Sequence, residues 1–182
     1  MTKYRTINMR PGGDDDWFAP GYGRIFDNDL IQKFFDRIAG EPDRSLVLIS
    51  AALLDDLIEQ KLKKHLSHGT ASVLNRLFDA LGPFSSTASK VDTLYCLGKI
   101  NQGSHANLHA IRKLRNHCAH DWSEFRFDSE TDARFLSNLS IPDFINEIPS
   151  DLEALPIHPK SKFNVATAML ILVLNIHGQH MA

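Results

Sequence analysis

The amino-acid sequence predicts an all-α fold, a compact helical bundle of five to seven helices with an irregular N-terminal arm. Apolar residues recur at helical spacing in successive segments along the 182 residues. No stretch alternates at period two for long enough to form a β-strand, with the tetrapeptide at 124–127 as the one short exception. Gly and Pro residues separate the apolar segments, which predicts several short helices rather than one long one.

The chain is predicted to consist of an arm and one domain. Residues 1–28 form the arm, because their many Gly, Pro and Asp residues favour an extended chain over a packed element. Residues 29–182 form a single helical domain. A proline-rich segment at about 140–160 is expected to interrupt this domain as an irregular stretch.

Capping residues and glycines delimit the first three helices. A short amphipathic helix starts after Asn28 or Asp29 and stops at Gly40. The next helix, at 43–66, is apolar on nearly all sides in its first half, which predicts a central position in the bundle. Its carboxylates at 55, 56 and 59 lie mainly on the polar side and are expected to be solvated, with pairing of one of them to a basic residue of the 111–120 stretch as the alternative. A short third helix follows and ends at the Gly-Pro pair of 82–83.

The remaining helices carry the other apolar segments. A fourth helix is capped by Ser85 or Ser86, and a fifth runs from about Ser104 to His120. A turn and a short helix come next, followed by a final apolar helix at about 161–177 that is predicted to be mostly buried in the core. The buried side of the fourth helix is expected to comprise Ala88, Val91, Leu94, Tyr95 and Leu97.

Composition favours a protein of the cytoplasm without membrane or direct DNA association. The net charge is -2 and the pI is about 6.5, so the bulk basic charge that neutralises phosphates in nucleic-acid binding is missing. No helix-turn-helix with a basic face is found. The longest apolar run is too short to span a bilayer. Cys96 and Cys118 lie in apolar helical patterns and are expected to be reduced core thiols.

Neither a metal nor an organic cofactor is predicted. His105 and His109 are four residues apart, and His117 and His120 are three apart, which are spacings that helical metal sites use. No third ligand stands near either pair in the sequence, so these residues are interpreted as surface histidines. The glycine-rich motifs that bind nucleotides are also missing.

The stretch IRKLRNHCAH at 111–120 carries the candidate functional residues. At about 100° per residue of helix, Arg112, Asn116 and His120 share one polar stripe. Arg115 instead lies within the apolar arc of the helix. An unpaired buried guanidinium is costly, so Arg115 is expected to bind a carboxylate or the carbonyl groups at a helix end.

Two roles remain open for this motif. In a structural role, Arg115 takes such a partner while Asn116 and His120 close the end of the helix. In a catalytic role, Arg115 binds phosphate through its planar fork and His120 transfers protons near neutral pH. Because residues five apart diverge by about 140° in an ideal helix, the second role requires the helix to end before His120 or a second subunit to supply a partner.

Three segments in order resemble the mannitol repressor family, namely ISAALLDDLIEQKL, LFDALGPFSSTASKVDTLYCLGKI and RKLRNHCAHDWSEFRFD. The residues that match the family pattern are Leu54, Asp55, Gly82, Pro83, Lys90, Leu94, Gly98, Arg112, Arg115, Asn116, Ala119 and His120. The resemblance spans about 45–130, and Phe84 and Cys118 depart from the pattern. It implies an all-helical cytoplasmic regulator that lacks an evident DNA-binding motif and acts through a protein partner.

The same Arg-Asn-x-x-x-His pattern is similar to the HEPN superfamily of helical domains, whose motif is often paired across a dimer. This resemblance implies metal-independent RNA cleavage. In that case His120 would assist proton transfer at the ribose 2′-hydroxyl, Arg115 would stabilise the phosphate, and Asn116 would give polar support.

Together these observations predict a non-enzymatic transcriptional regulator that resembles the mannitol operon repressor and works through protein contacts. A homodimer is compatible with this prediction, and no cofactor or metal belongs to it. Its functional motif comprises Arg112, Arg115, Asn116 and His120. The alternative is a HEPN-type endoribonuclease, a toxin or defence component, in which Arg115, Asn116 and His120 are catalytic and RNA is the substrate.

Overall fold

The computed structural model describes residues 29–141 and 158–175, and its only regular secondary structure in these ranges is helical. The seven helices of the described ranges are α1 (Asp29–Ile38), α2 (Asp43–His65), α3 (Ala71–Phe78), α4 (Thr87–Cys96), α5 (Gln102–His120), α6 (Glu130–Leu136) and α7 (Pro159–Asn175). The predicted all-α bundle is confirmed. The arm at 1–28 and most of the proline-rich segment lie outside the described residues, so their predicted form stays a prediction.

The long helix α2 is the centre of the bundle, as the sequence predicted. It packs against α4, α5 and α7. Leu46 and Val47 are buried near its start and Leu62 near its end, so the apolar side is covered along its whole length. Ser50 is also fully buried, and its hydroxyl donates to the Leu46 carbonyl oxygen at 2.7 Å. That bond satisfies the polar group inside the core.

The last helix, α7, fills the other half of the core and contacts α1, α2, α5 and α6. Its prediction as a mostly buried helix is confirmed. Lys61 of α2 donates to the carbonyl oxygens of Val173 and Leu174, at 2.9 and 3.4 Å, and Lys162 of α7 donates to that of Leu136 at 3.2 Å. Each lysine therefore satisfies carbonyl groups that a helix end leaves without intrahelical partners. In the described ranges, no helix combines the length and apolarity needed to cross a membrane.

Local capping explains where α4 and α5 begin. Ser86 accepts from the Ser89 amide at 3.1 Å, which confirms a serine cap for α4. Helix α5 begins at Gln102, slightly before the predicted start, because Asn101 caps it by accepting from the Ser104 amide at 2.8 Å. The first helix also has its predicted limits, with Gly40 at φ +76° just after its end.

The prediction for the buried side of α4 is partly wrong. Val91 and Leu94 are fully buried, but Tyr95 and Leu97 are exposed. Cys96 is exposed as well, which corrects its expected place in the core, whereas Cys118 is buried as predicted. These exposed residues lie in the last turn of α4 and at its cap, where the chain turns away at Gly98 with φ +64°. Periodicity identifies the apolar positions but not how far the neighbouring helices cover them.

The buried side of α4 also includes a lysine that the sequence prediction left out. The side chain of Lys90 is only 4% exposed, and its Nζ lies 2.9 Å from Asp55 Oδ1 and 3.1 Å from Glu59 Oε2. Burial opposes the ammonium, but the hydrogen bonds to Asp55 and Glu59 outweigh it and raise the pKa of Lys90. Asp55 also accepts from the Thr87 hydroxyl at 2.8 Å. The expectation that these two carboxylates are simply solvated is therefore wrong, because they hold α4 on α2.

The short alternating stretch at 124–127 is not a strand. Phe125 and Phe127 are buried and Arg126 is exposed, but side chains satisfy the backbone instead of a β-ladder. Asp43 accepts from the Phe127 amide at 3.1 Å, and Asp132 accepts from the Arg126 amide at 3.2 Å. The period-two pattern therefore reports alternate burial of an extended chain, without strand pairing.

The packing of Lys90 predicts a difference between two substitutions. Lys90→Ala should lower the free energy of unfolding by about 2–3 kcal/mol, because it leaves a cavity where the buried aliphatic stem was. Lys90→Met should cost less than about 1.5 kcal/mol, since it refills that space and both carboxylates keep part of their surface in water. Urea denaturation of the two variants measures the difference. Equal losses would contradict this division of roles, in which the bonds of the ammonium fix the position of α4 and the buried stem supplies most of the stability.

Candidate functional site

A pocket of about 820 Å³ lies between α2, α5 and the loop that leads into α4. Apolar residues, including Leu48 and Ile111, line part of it. Its charged lining consists of three arginines and two aspartates, namely Arg44, Arg112, Arg115, Asp55 and Asp56. The loop adds the hydroxyl groups of residues 85–87. Helix α5 thus presents Arg112 and Asn116 of its polar stripe to a solvent-open pocket.

A glycine that no other residue can replace brings the loop to the pocket. A Cβ atom at Gly82 would collide with the carbonyl oxygens of Arg76 and Leu77. The amide of Phe84 donates to the same Leu77 carbonyl oxygen at 2.9 Å, and the Phe84 ring lies 5.2 Å from that of Phe78. This close return of the chain sets the direction from which the loop enters α4.

The structure reverses the predicted environments of the two motif arginines. Arg115 is exposed, as is Ala119, so the expectation that Arg115 points toward apolar residues is wrong. It donates to Asn116 Oδ1 at 3.2 Å, an amide rather than a carboxylate. Arg112 is partly buried, and its Nε atom is shielded from solvent without a hydrogen-bond partner in the described ranges. The difference arises because the side of α5 that carries Arg115 faces the pocket, not another helix.

The fourth motif residue, His120, stands apart from the other three. It is exposed and is not among the described residues that line the pocket. Helix α5 continues through His120, so the condition that would bring His120 toward Arg115 within one chain is not met. Arg112, Arg115 and Asn116 share the pocket, and the geometry of the described residues gives the endoribonuclease alternative no support.

His117, interpreted from the sequence as a surface residue, instead ties α6 to α5. Its Nε2 atom lies 3.1 Å from Asp132 Oδ1, and its ring stacks on Phe135 with a centroid distance of 4.5 Å. The side chain of Asp132 is itself buried. This histidine therefore has a structural role that its spacing from His120 did not reveal.

The thiol of Cys118 also lines the pocket. It is buried, and burial raises its pKa to about 11. A thiol with that pKa stays protonated near neutral pH, and only the thiolate is a good nucleophile. Cys118 is therefore not prepared for covalent catalysis.

The turn predicted after α5 is present, but sequence reasoning missed the contacts that hold it and the side chain that it exposes. Arg44 donates to the carbonyl oxygen of Asp121, and to that of Ser123 at 3.3 Å. The Asp121 carboxylate accepts from the Ser123 amide at 2.8 Å, and this bond lowers the pKa of Asp121. Between them, Trp122 is 99% exposed. A tryptophan in a short polar loop directly after the motif was the available signal for this feature.

A second cluster of polar side chains corrects the interpretation of the other histidine pair. Asp92 of α4 places its Oδ1 atom 2.8 Å from His105 Nε2 and 2.9 Å from His109 Nε2. The sequence showed no third ligand because Asp92 belongs to the preceding helix. Both imidazoles are partly buried and lie against this carboxylate. They are therefore not free surface groups.

A structural comparison and a family comparison point to the same group of proteins. The fold is similar to that in the X-ray structure of the MtlR-HPr complex from Escherichia coli, with a TM-score of 0.55 and 18% sequence identity. The aligned region covers 79% of this chain and 93% of that one. No curated protein sequence matches significantly. The family model described as mannitol repressor matches residues 35–163. Because that range is well over half of the chain and contains the whole pocket, the protein belongs to the mannitol repressor family.

Proposed function

We propose that the protein is a non-enzymatic transcriptional regulator of the mannitol repressor type, which acts through contacts with a protein. The match of the family model to residues 35–163 carries this proposal. The site agrees with it, because the buried Cys118 thiol has a raised pKa and His120 is not among the described residues that line the pocket. We therefore expect this pocket to bind part of a partner protein and not to carry out covalent chemistry.

The partner we propose is a protein of the HPr type. A relative of the same fold has been solved in a complex with HPr. On this chain the exposed indole of Trp122 is the natural anchor for such a partner, since tryptophan is prominent among residues that dominate binding energy. The bonds from Arg44 hold the loop in place before binding, which reduces the entropy that association must offset.

The motif residues in the pocket are proposed to receive an acidic side chain of that partner. Arg112 has a guanidinium nitrogen without a partner in the described ranges, and Arg115 bonds there to the neutral amide of Asn116. Asp55 is paired with Lys90, and among the described residues neither Asp55 nor Asp56 forms an ion pair with these arginines. An arginine can bind a carboxylate through two parallel hydrogen bonds. Arg44 joins the two parts of the proposed interface, because it lines the pocket and holds the Trp122 loop.

Replacing Trp122 should separate binding from folding. Isothermal titration with purified HPr is expected to give a complex whose affinity falls at least tenfold in Trp122→Ala, which corresponds to about 1.4 kcal/mol. Leu81→Ala is the matched control, because Leu81 is also a fully exposed apolar residue but neither lines the pocket nor belongs to the loop that carries Trp122. It should bind like the parent protein. Equal affinities of all three proteins would contradict the assignment of the anchor.

The regulatory role is tested by the same variants in cells. Deletion of the gene should change the levels of the transcripts that the protein regulates. These levels should return to normal when the strain expresses the parent protein or Leu81→Ala, and not when it expresses Trp122→Ala. If transcripts do not change when the gene is deleted, the proposal of a transcriptional regulator fails, whatever the titration shows.

The non-enzymatic part of the proposal predicts that the purified protein does not cleave RNA. Mixed single-stranded RNA incubated with the protein in EDTA should stay intact, and Arg115→Ala and His120→Ala should behave identically. Cleavage by the parent protein that both substitutions abolish would overturn this part. It would also indicate a homodimer in which a second subunit brings His120 to Arg115, which sedimentation of the parent protein would detect.

A further inference from the structure

We propose that Asp92, His105 and His109 form a binding site for a divalent transition-metal ion, for which Zn²⁺ is the appropriate probe. His105 and His109 lie one turn apart on α5, and Asp92 lies on α4. The potential ligand atoms are all within 4.8 Å of one another. In the described ranges, this is the one group of three such side chains that converges in this way.

The separations between the carboxylate and the two imidazoles require only small movements to accept an ion. In a tetrahedral site with bonds of about 2.0–2.1 Å, neighbouring ligand atoms are roughly 3.3 Å apart. The carboxylate oxygen now lies 2.8 and 2.9 Å from the two Nε2 atoms, so each separation must widen by about half an ångström. Asp92 can move by this amount because its side chain is 58% exposed.

The donor set has the chemistry of a transition-metal site. Imidazole nitrogens favour ions such as Zn²⁺, Ni²⁺ and Cu²⁺ over Mg²⁺ or Ca²⁺, and a carboxylate completes many such sites. Three protein ligands leave at least one coordination position open to water or to a group from another molecule.

Neighbouring rings hold the two imidazoles in place. The ring of Tyr95 lies 4.5 Å from that of His105, and the two histidine rings meet edge to face at 4.6 Å. An ion bound here would connect α4 to α5 directly and stabilise the folded state by mass action. None of its three ligands lines the arginine pocket, so the inference is independent of the proposed function.

The test is a titration of Zn²⁺ into the full chain, free of any affinity tag and stripped of metal with EDTA that is then removed. Calorimetry should show one ion per chain, and the melting temperature should rise in saturating Zn²⁺. Asp92→Asn, His105→Gln and His109→Gln should each lower the affinity at least tenfold. His120→Gln is the matched control, since His120 is an exposed histidine on the same helix but outside the cluster, and its affinity should equal that of the parent protein.

Three results would overturn the site. They are no saturable binding to the parent protein, an affinity that the cluster substitutions leave unchanged, and an equal loss in His120→Gln. Titration with Co²⁺ provides a second measurement on the parent protein, so the outcome does not depend on the variants folding. Intense visible absorption of the four- or five-coordinate ion would support coordination by the protein, and the weak spectrum of aqueous Co²⁺ alone would contradict it.

Discussion

The buried ammonium of Lys90 is the interaction on which the arrangement of both polar sites depends. Its bonds to Asp55 and Glu59 fix α4 at one height along α2, and the bond from Thr87 to Asp55 fixes the start of the helix. The hydroxyl groups at 85–87 therefore face the pocket. Because the same helix carries Asp92 on another side, this anchoring also sets where the carboxylate meets the histidines of α5.

The polar residues of helix α5 have different roles on its different sides. One side gives Arg112, Arg115 and Asn116 to a charged pocket, and another gives His105 and His109 to the carboxylate of α4. His117 is used for packing against α6. A single helix rich in polar residues thus supplies a pocket, a cluster of potential ligands and a structural contact. Polarity alone does not tell these three uses apart.

The features that could be predicted from the sequence are mainly those that neighbouring residues in the chain determine. Caps, glycines and apolar periodicity gave the helices and the central position of α2. The environment of Arg115 was predicted wrongly, because its angle on α5 was known but not what faces that angle. Lys90 and Asp92 show the same limit. Their partners come from other helices, so no spacing within one segment could have revealed them. The resemblance to the mannitol repressor family, which the family match confirms, depended on three segments taken together in their order along the chain.

The capping of α7 by Lys61 has a consequence for how the chain is made. The lysine and the Val173 carbonyl oxygen it binds are 112 residues apart, so the ribosome finishes α2 long before it makes α7. During that interval the side of α2 that will meet α7 has no cover from it. Contacts of such long sequence separation form late and slow folding, and uncovered apolar surface promotes aggregation. Aggregation of the growing chain is therefore most favoured in the interval before α7 leaves the ribosome.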